Sequence, residues 1–165
     1  MTDLRLALYQ PDIPQNTGTL LRTAACLGIG VDLIEPAGFA VTDRNLRRAG
    51  MDYLDAAPLT RHTGWAAFEA RRRAEGRRLV LLTTRGAVSY LDFVFRPDDV
   101  VMVGRESAGV PDEVHAAADA RLIVPMRPAM RSLNVAVAAV MVLGEALRRT
   151  GGFCPLEARR GDETP

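Results

Sequence analysis

The amino-acid sequence predicts an α/β fold, a mainly parallel sheet with helices on both faces. Short apolar runs alternate with stretches of helical periodicity along most of the chain, and that alternation is the signature of strands joined by helical crossovers. The chain has 165 residues, the size of one domain with one core, and its composition is 48% hydrophobic and 25% charged, as in globular proteins. Glycines and prolines fall where the periodic stretches end.

Leu4 to Tyr9 is an apolar run ending at Gln10-Pro11, and Val31 to Glu35 is another, followed by Pro36 and Gly38; both read as strands. Between them Asn16 to Gly28 carries Leu20, Leu21, Ala24, Ala25 and Leu27 at helical spacing and stops at a glycine. This is a βαβ unit, with Asn16 able to cap the helix and Cys26 expected in the core. A short helix follows from Asp43 to Ala49, capped by Thr42 or Asp43 and ended by Gly50, then a strand near Tyr53 to Ala57. Thr63 caps a helix from Trp65 to about Glu75, and Arg78 to Thr83 is the next strand. Asp99 to Val103 is a strand ending on Gly104, Pro111 starts a helix at its favoured first position, and Arg121 to Val124 is the last strand.

Ser132 or Asn134 begins a long helix that runs to Arg149. Its segment from Val135 to Leu143 is apolar on every side, so either the chain's own core or a second subunit must cover it. We expect a homodimer with this helix, Val142 included, at the interface. Residues 1–152 are expected to form one domain, and 153–165, polar and patternless, a mobile tail.

Several function classes are excluded. All 21 basic residues are arginine, so a P-loop and Schiff-base chemistry both lack the lysine they need. Cys26 and Cys154 are far apart, and neither they nor His62 and His115 have a metal-binding spacing, so no metal is expected. The histidines read as packed or surface residues. No apolar run approaches the roughly 18 residues of a membrane span, and the start of the chain lacks a signal-peptide pattern, so a cytoplasmic protein without membrane contact is expected. With a net charge of +1, any nucleic acid must meet a local arginine patch. Arg44, Arg47, Arg48, Arg61 and Arg131 are candidate phosphate contacts.

Ligands of open α/β sheets bind beyond the carboxyl ends of strands, and three loops there stand out. Pro11-x-x-Pro14-x-Asn16-x-Gly18-x-x-x-Arg22 follows the first strand, and Gly104-Arg105-Glu106-Ser107-Ala108-Gly109-Val110-Pro111 follows the strand ending at Val103. Val124-Pro125-Met126 leads to Arg131-Ser132-Leu133-Asn134 at the mouth of the apolar helix. Taken singly, Asn16 and Asn134 can be plain helix caps, Arg22 a solvated residue and Gly104 a steric turn. Together they bring polar groups to one end of an apolar sheet.

These three segments resemble the motifs of the SPOUT superfamily of RNA methyltransferases, specifically its small tRNA wobble-position 2′-O-methyltransferases. The similarity covers roughly residues 4 to 150. It includes Ile34-Glu35-Pro36-x-Gly38-Phe39, Leu46-Arg47-Arg48-Ala49-Gly50-x-Asp52-Tyr53, Thr60-Arg61-His62 and Leu82-Thr83-Thr84. The resemblance implies a deep trefoil knot in the C-terminal part, a homodimer, S-adenosyl-L-methionine as cofactor and a tRNA anticodon stem-loop as substrate. It implies cofactor contacts at Leu82, Thr83, Gly104, Val124, Met126, Ser132 and Leu133, with Gly104 leaving room for the adenosine. It makes Arg22 the residue that handles the proton of the ribose 2′-hydroxyl, with Asn16, Glu106, Ser132 and Asn134 positioning the groups around it. Two departures stand out: Gly144 precedes Glu145 where some relatives have tyrosine, and Arg105 replaces an expected proline.

A Rossmann-type dehydrogenase or ordinary SAM methyltransferase is the first rival, on Gly28-x-Gly30 and Glu35. Those glycines lie between a helix and the next strand, lack the third glycine, and the acid follows too soon. A non-enzymatic RNA-binding module, using Arg44, Arg47 and Arg48 with Arg61, and Arg71 to Arg73, as phosphate contacts, is the second. A SPOUT enzyme acting on ribosomal RNA is the nearest alternative.

Overall fold

The computed structural model describes residues 2–40 and 58–155. Its centre is a seven-stranded sheet in the order β3-β2-β1-β6-β4-β7-β5, and every neighbouring pair is parallel. The strands are β1 (Arg5–Tyr9), β2 (Gly30–Ile34), β3 (Leu59–His62), β4 (Leu79–Leu82), β5 (Val88–Ser89), β6 (Val100–Val103) and β7 (Ala120–Ile123). The helices are α1 (Pro14–Leu27), α2 (Trp65–Ala74), α3 (Asp112–Ala117) and α4 (Val135–Thr150).

Alternate side chains of a strand face opposite ways, and the two sides of β1 show it. Leu6 and Leu8 join Val101, Val103, α1 and α4 on one side, while Ala7 and Tyr9 join Met102, Leu81 and Phe68 of α2 on the other. Both faces are covered, which is why these strands read as continuous apolar runs. Each fully buried leucine here contributes about 1.5–3 kcal/mol of transfer free energy.

One polar knot lies within that apolar sheet. Asp32 on β2 is buried and accepts from Arg5 Nε at 2.6 Å and from Arg5 Nη2 at 3.0 Å, and its Oδ1 lies 2.8 Å from Nε2 of the buried His62. A buried carboxylate demands such partners. Burial pushes the Asp32 carboxyl up, yet the hydrogen bonds and charges of Arg5 and His62 outweigh it and hold the group below the usual carboxylate range. His62 therefore has the packed role expected of it.

Several expectations need correcting. The first helix begins at Pro14, with Pro at its first turn and no side-chain cap, so Asn16 lies inside the helix and not at its cap. Its glycine stop is as expected: Gly28 adopts φ 68°. Cys26 is exposed, because it falls on the solvent side of α1. Thr63 caps nothing; Gly64 is the N-cap of α2. Pro111 is the N-cap of α3, one residue ahead of its expected place. The strands β3 and β5 were not anticipated. The expected helix 43–49 and strand 53–57 lie outside the described residues, as does the tail from 156 onward.

The last helix is apolar all round in sequence, but its sides differ in the fold. Ala136, Ala139, Val142, Leu143, Ala146 and Leu147 are buried against the sheet, whereas Val137, Val140 and Met141 are exposed. Val142, at 0% exposure, is core and not surface. Among the described residues no helix is long and apolar enough to cross a membrane.

Candidate active site

The parallel strands end side by side, so the loops that follow β1, β4, β6 and β7 meet at one edge of the sheet. They enclose a cavity of about 490 Å³. Leu82 and Thr83 enter it from β4, Gly104 and Glu106 from the loop after β6, and Val124 and Met126 from the end of β7. Ser132, Leu133 and Asn134 close one wall with the first turn of α4, and Ile13 and Asn16 close another. All seven residues expected at a cofactor thus line one space, along with four of the five expected around the reacting groups.

A chain of hydrogen bonds runs along its rim. Asn134 caps α4, its Oδ1 accepting from the amides of Ala136 at 2.8 Å and Val137 at 3.3 Å. Its Nδ2 donates to Asn16 Oδ1 at 3.0 Å, and Asn16 Nδ2 donates to Glu106 Oε1 at 3.1 Å. Glu106 Oε2 accepts from the Asp12 amide at 3.2 Å, and Asp12 Oδ1 accepts from the Glu106 amide at 3.1 Å. Ser107 Oγ donates to Asp12 Oδ2. Each amide orients its own carbonyl oxygen toward a donor, so the asparagine flips follow from the chain itself.

Two carboxyls so close cannot ionise alike. The hydrogen bond with Glu106, then that from Ser107, holds the Asp12 carboxyl down at about 2, whereas burial first, then Asp12, pushes Glu106 up. Arg105 lines the same cavity, but its guanidinium is tied to the Gln10 side chain. Gln10 itself has a positive φ of 44°.

Gly104 also has a cause within its own loop. A Cβ there would stand 2.7 Å from the carbonyl carbon of Gly109, so its own loop excludes a side chain before any ligand does. The loop closes through reciprocal amide bonds between Arg105 and Gly109, at 3.0 and 2.8 Å.

Arg22 is exposed on α1 and does not border the cavity. Of the expected phosphate contacts, Arg131 lines the cavity, Arg61 pairs with Glu35, and Arg44, Arg47 and Arg48 lie outside the described residues. The run Arg71 to Arg73 is not a free cationic face: Arg72 is buried on Glu69 at 2.7 Å, Arg73 meets the same carboxylate at 2.6 Å, and Arg71 meets Glu75 at 2.7 Å. Asp12 was missed by sequence reasoning. Its signal is an acid between Pro11 and Pro14 in the loop after the first strand.

Residues 3–144 match the model of the SpoU rRNA Methylase family. A tRNA (cytidine(34)-2′-O)-methyltransferase of Beijerinckia indica subsp. indica is 66% identical over 148 residues, covering 90% of this chain and 92% of the relative. A solved structure reported with insights into 2-OH methylation of C/U34 on tRNA superposes with a TM-score of 0.83 at 42% identity, over 90% of this chain and 96% of that one. An AdoMet-bound rRNA methyltransferase of Sinorhizobium meliloti superposes with a TM-score of 0.80 at 31% identity, over 88% of this chain and 56% of that one. By the extent of the family match and by these relatives, the chain belongs to the SpoU methylase family of RNA-modifying enzymes.

Proposed function

We propose that this protein transfers the methyl group of S-adenosyl-L-methionine to the ribose 2′-hydroxyl of nucleotide 34, cytidine or uridine, in the tRNA anticodon loop. The observation that carries it is the 66% identity, over nine-tenths of the chain, to a tRNA (cytidine(34)-2′-O)-methyltransferase. A ribosomal RNA substrate is the weaker reading: the rRNA methyltransferase with the matching fold is a longer chain, of which only 56% is covered.

The cavity suits the cofactor. Its volume lies in the range that holds a small organic ligand, and apolar side chains such as Leu82, Val124 and Leu133 alternate in it with polar groups of Thr83, Ser132 and Asn134. The cofactor supplies a methyl group on a sulfonium, whose sulfur leaves as the neutral thioether of S-adenosylhomocysteine when the new O–C bond forms and the S–C bond breaks. The remaining work is alignment, water exclusion and removal of one hydroxyl proton. Leu82, Thr83, Gly104, Val124, Met126, Ser132 and Leu133 hold the cofactor, and Asn16, Glu106 and Asn134 keep the loops in register through their hydrogen-bond chain. Arg22 we assign to the ribose hydroxyl and an adjoining phosphate. Arg131 at the rim, with Arg44, Arg47, Arg48 and Arg61, meets the RNA backbone.

The C-terminal part forms the family's trefoil knot, and the working unit is a homodimer joined through the exposed side of α4. tRNA as substrate assigns the protein to the cytoplasm. Incubation of purified protein with cofactor and unmodified tRNA, followed by nucleoside mass spectrometry, tests the function: 2′-O-methylcytidine or 2′-O-methyluridine at position 34 is expected, and an unmethylated position 34 overturns it.

A further inference from the structure

We propose that Asp12 is a positioning residue of the methyl-transfer site, holding Glu106 in place from the neighbouring loop; the proposal rests on the function inferred above. No motif resemblance assigns it a role.

The geometry is a reciprocal clasp. The Asp12 carboxylate accepts the Glu106 amide at 3.1 Å, and the Glu106 carboxylate accepts the Asp12 amide at 3.2 Å. Ser107 adds a third bond, to the second Asp12 oxygen. The loop after β6 is therefore fastened to the loop after β1 at the point from which Glu106 reaches Asn16 and, through it, Asn134. Gly38, in the segment after β2, closes the arrangement from behind: its amide donates to Pro11 O at 2.9 Å, and a Cβ there would stand 2.8 Å from Asp12 Cβ and 3.0 Å from its Cα. Three loops thus converge on one residue, Asp12, which does not line the cavity itself.

The clasp also governs charge. Glu106 accepts an N–H on each oxygen, from Asn16 and from Asp12, which is the pattern of an ionised carboxylate. Among the described residues, Asp12 is the charged group bonded to it, and Arg105 and Arg131 line the same cavity. Asp12, ionised over the whole working range, opposes a second negative charge beside it. Removing the Asp12 charge lets Glu106 ionise at lower pH.

Single-turnover methylation of tRNA at saturating cofactor, followed as a function of pH, reads both effects. Asp12→Asn keeps the shape and removes the charge, so the acid limb of the rate profile is expected to move to lower pH. Asp12→Ala opens the clasp, and Gly38→Ala displaces Asp12 without removing any acidic residue; each is expected to lower the saturated rate about tenfold. An acid limb unmoved in Asp12→Asn, or an Asp12→Ala rate within about twofold of the unaltered protein, overturns the proposal. If the unaltered protein leaves nucleotide 34 unmethylated in the same assay, the functional reading fails instead, and the two failures stay distinct.

Discussion

The role proposed for Arg22 places the ribose chemistry on a residue that does not border the cavity. A guanidinium is a planar fork able to hold a phosphate and the ribose oxygen together, whereas an ammonium is a point charge. Arg22→Lys is therefore expected to lose single-turnover rate nearly as severely as Arg22→Ala, by about a hundredfold, with cofactor affinity retained in calorimetry. Near-normal rates in both would leave Arg22 as an ordinary helix residue. Asp32 makes a prediction of a different kind. Its carboxyl titrates below its unfolded value, so its contribution to stability is complete above about pH 4 and is lost as pH falls through the lower, folded-state value. Asp32→Asn should cost about 3 kcal/mol at neutral pH, or roughly 6–12 °C in Tm, because it strands Arg5 and His62. Melting curves of both proteins across the acid range check this: the difference should shrink with acidification, and a constant gap contradicts the assignment.

At the scale of elements, α4 joins the site to the rest of the fold through one side chain. Asn134 caps the helix and at the same time donates to Asn16 on α1. Asn134→Ala should lose about 1 kcal/mol from the cap, a fall of roughly 2–4 °C in Tm, together with a disproportionate loss of methylation; Asn134→Ser, which restores the cap but not the reach, should recover stability alone. Calorimetry beside the activity assay separates the two. The long elements were legible in the sequence because they carry repeated signals: α1 has its spaced leucines and Gly28, β1 is apolar from Leu6 onward, and β6 is apolar throughout. The strand β3 was not, since three of the four residues Leu59–His62 are polar and its order comes from pairing with β2. Neither was β5, two residues long and held by β7. Cys26 was misplaced because helical spacing marks a buried stripe without fixing its edges; it lies two residues past Ala24, over the border. The site's polar residues were legible as separate motifs, but Asp12 acquires its partners only when loops about 94 residues apart meet.

For the molecule as a whole, the proposed homodimer makes opposite predictions for two valines of α4. Val137 is 52% exposed and Val142 fully buried, although both belong to the same apolar run. Val137→Glu is expected to yield a folded monomer at micromolar concentration in sedimentation, with the circular dichroism of the unaltered protein. Val142→Glu is expected to unfold the chain, as a charge in the core does. A Val137→Glu protein that sediments as a dimer would move the interface to another surface.

The strand order also has a consequence for the timing of synthesis. β1 emerges just before α1 and β2, yet one of its two neighbours, β6, follows about 95 residues later, where Val100 pairs with Arg5. At roughly 5–20 residues per second, the ribosome takes about 5–20 s to deliver it. Throughout that interval β1 can pair with β2 but presents its other edge, a row of unmatched amides and carbonyls flanked by Leu6 and Leu8. Nascent chains stalled short of β6 should accordingly be held by chaperones and cut readily by protease, and those extended past β7 should resist.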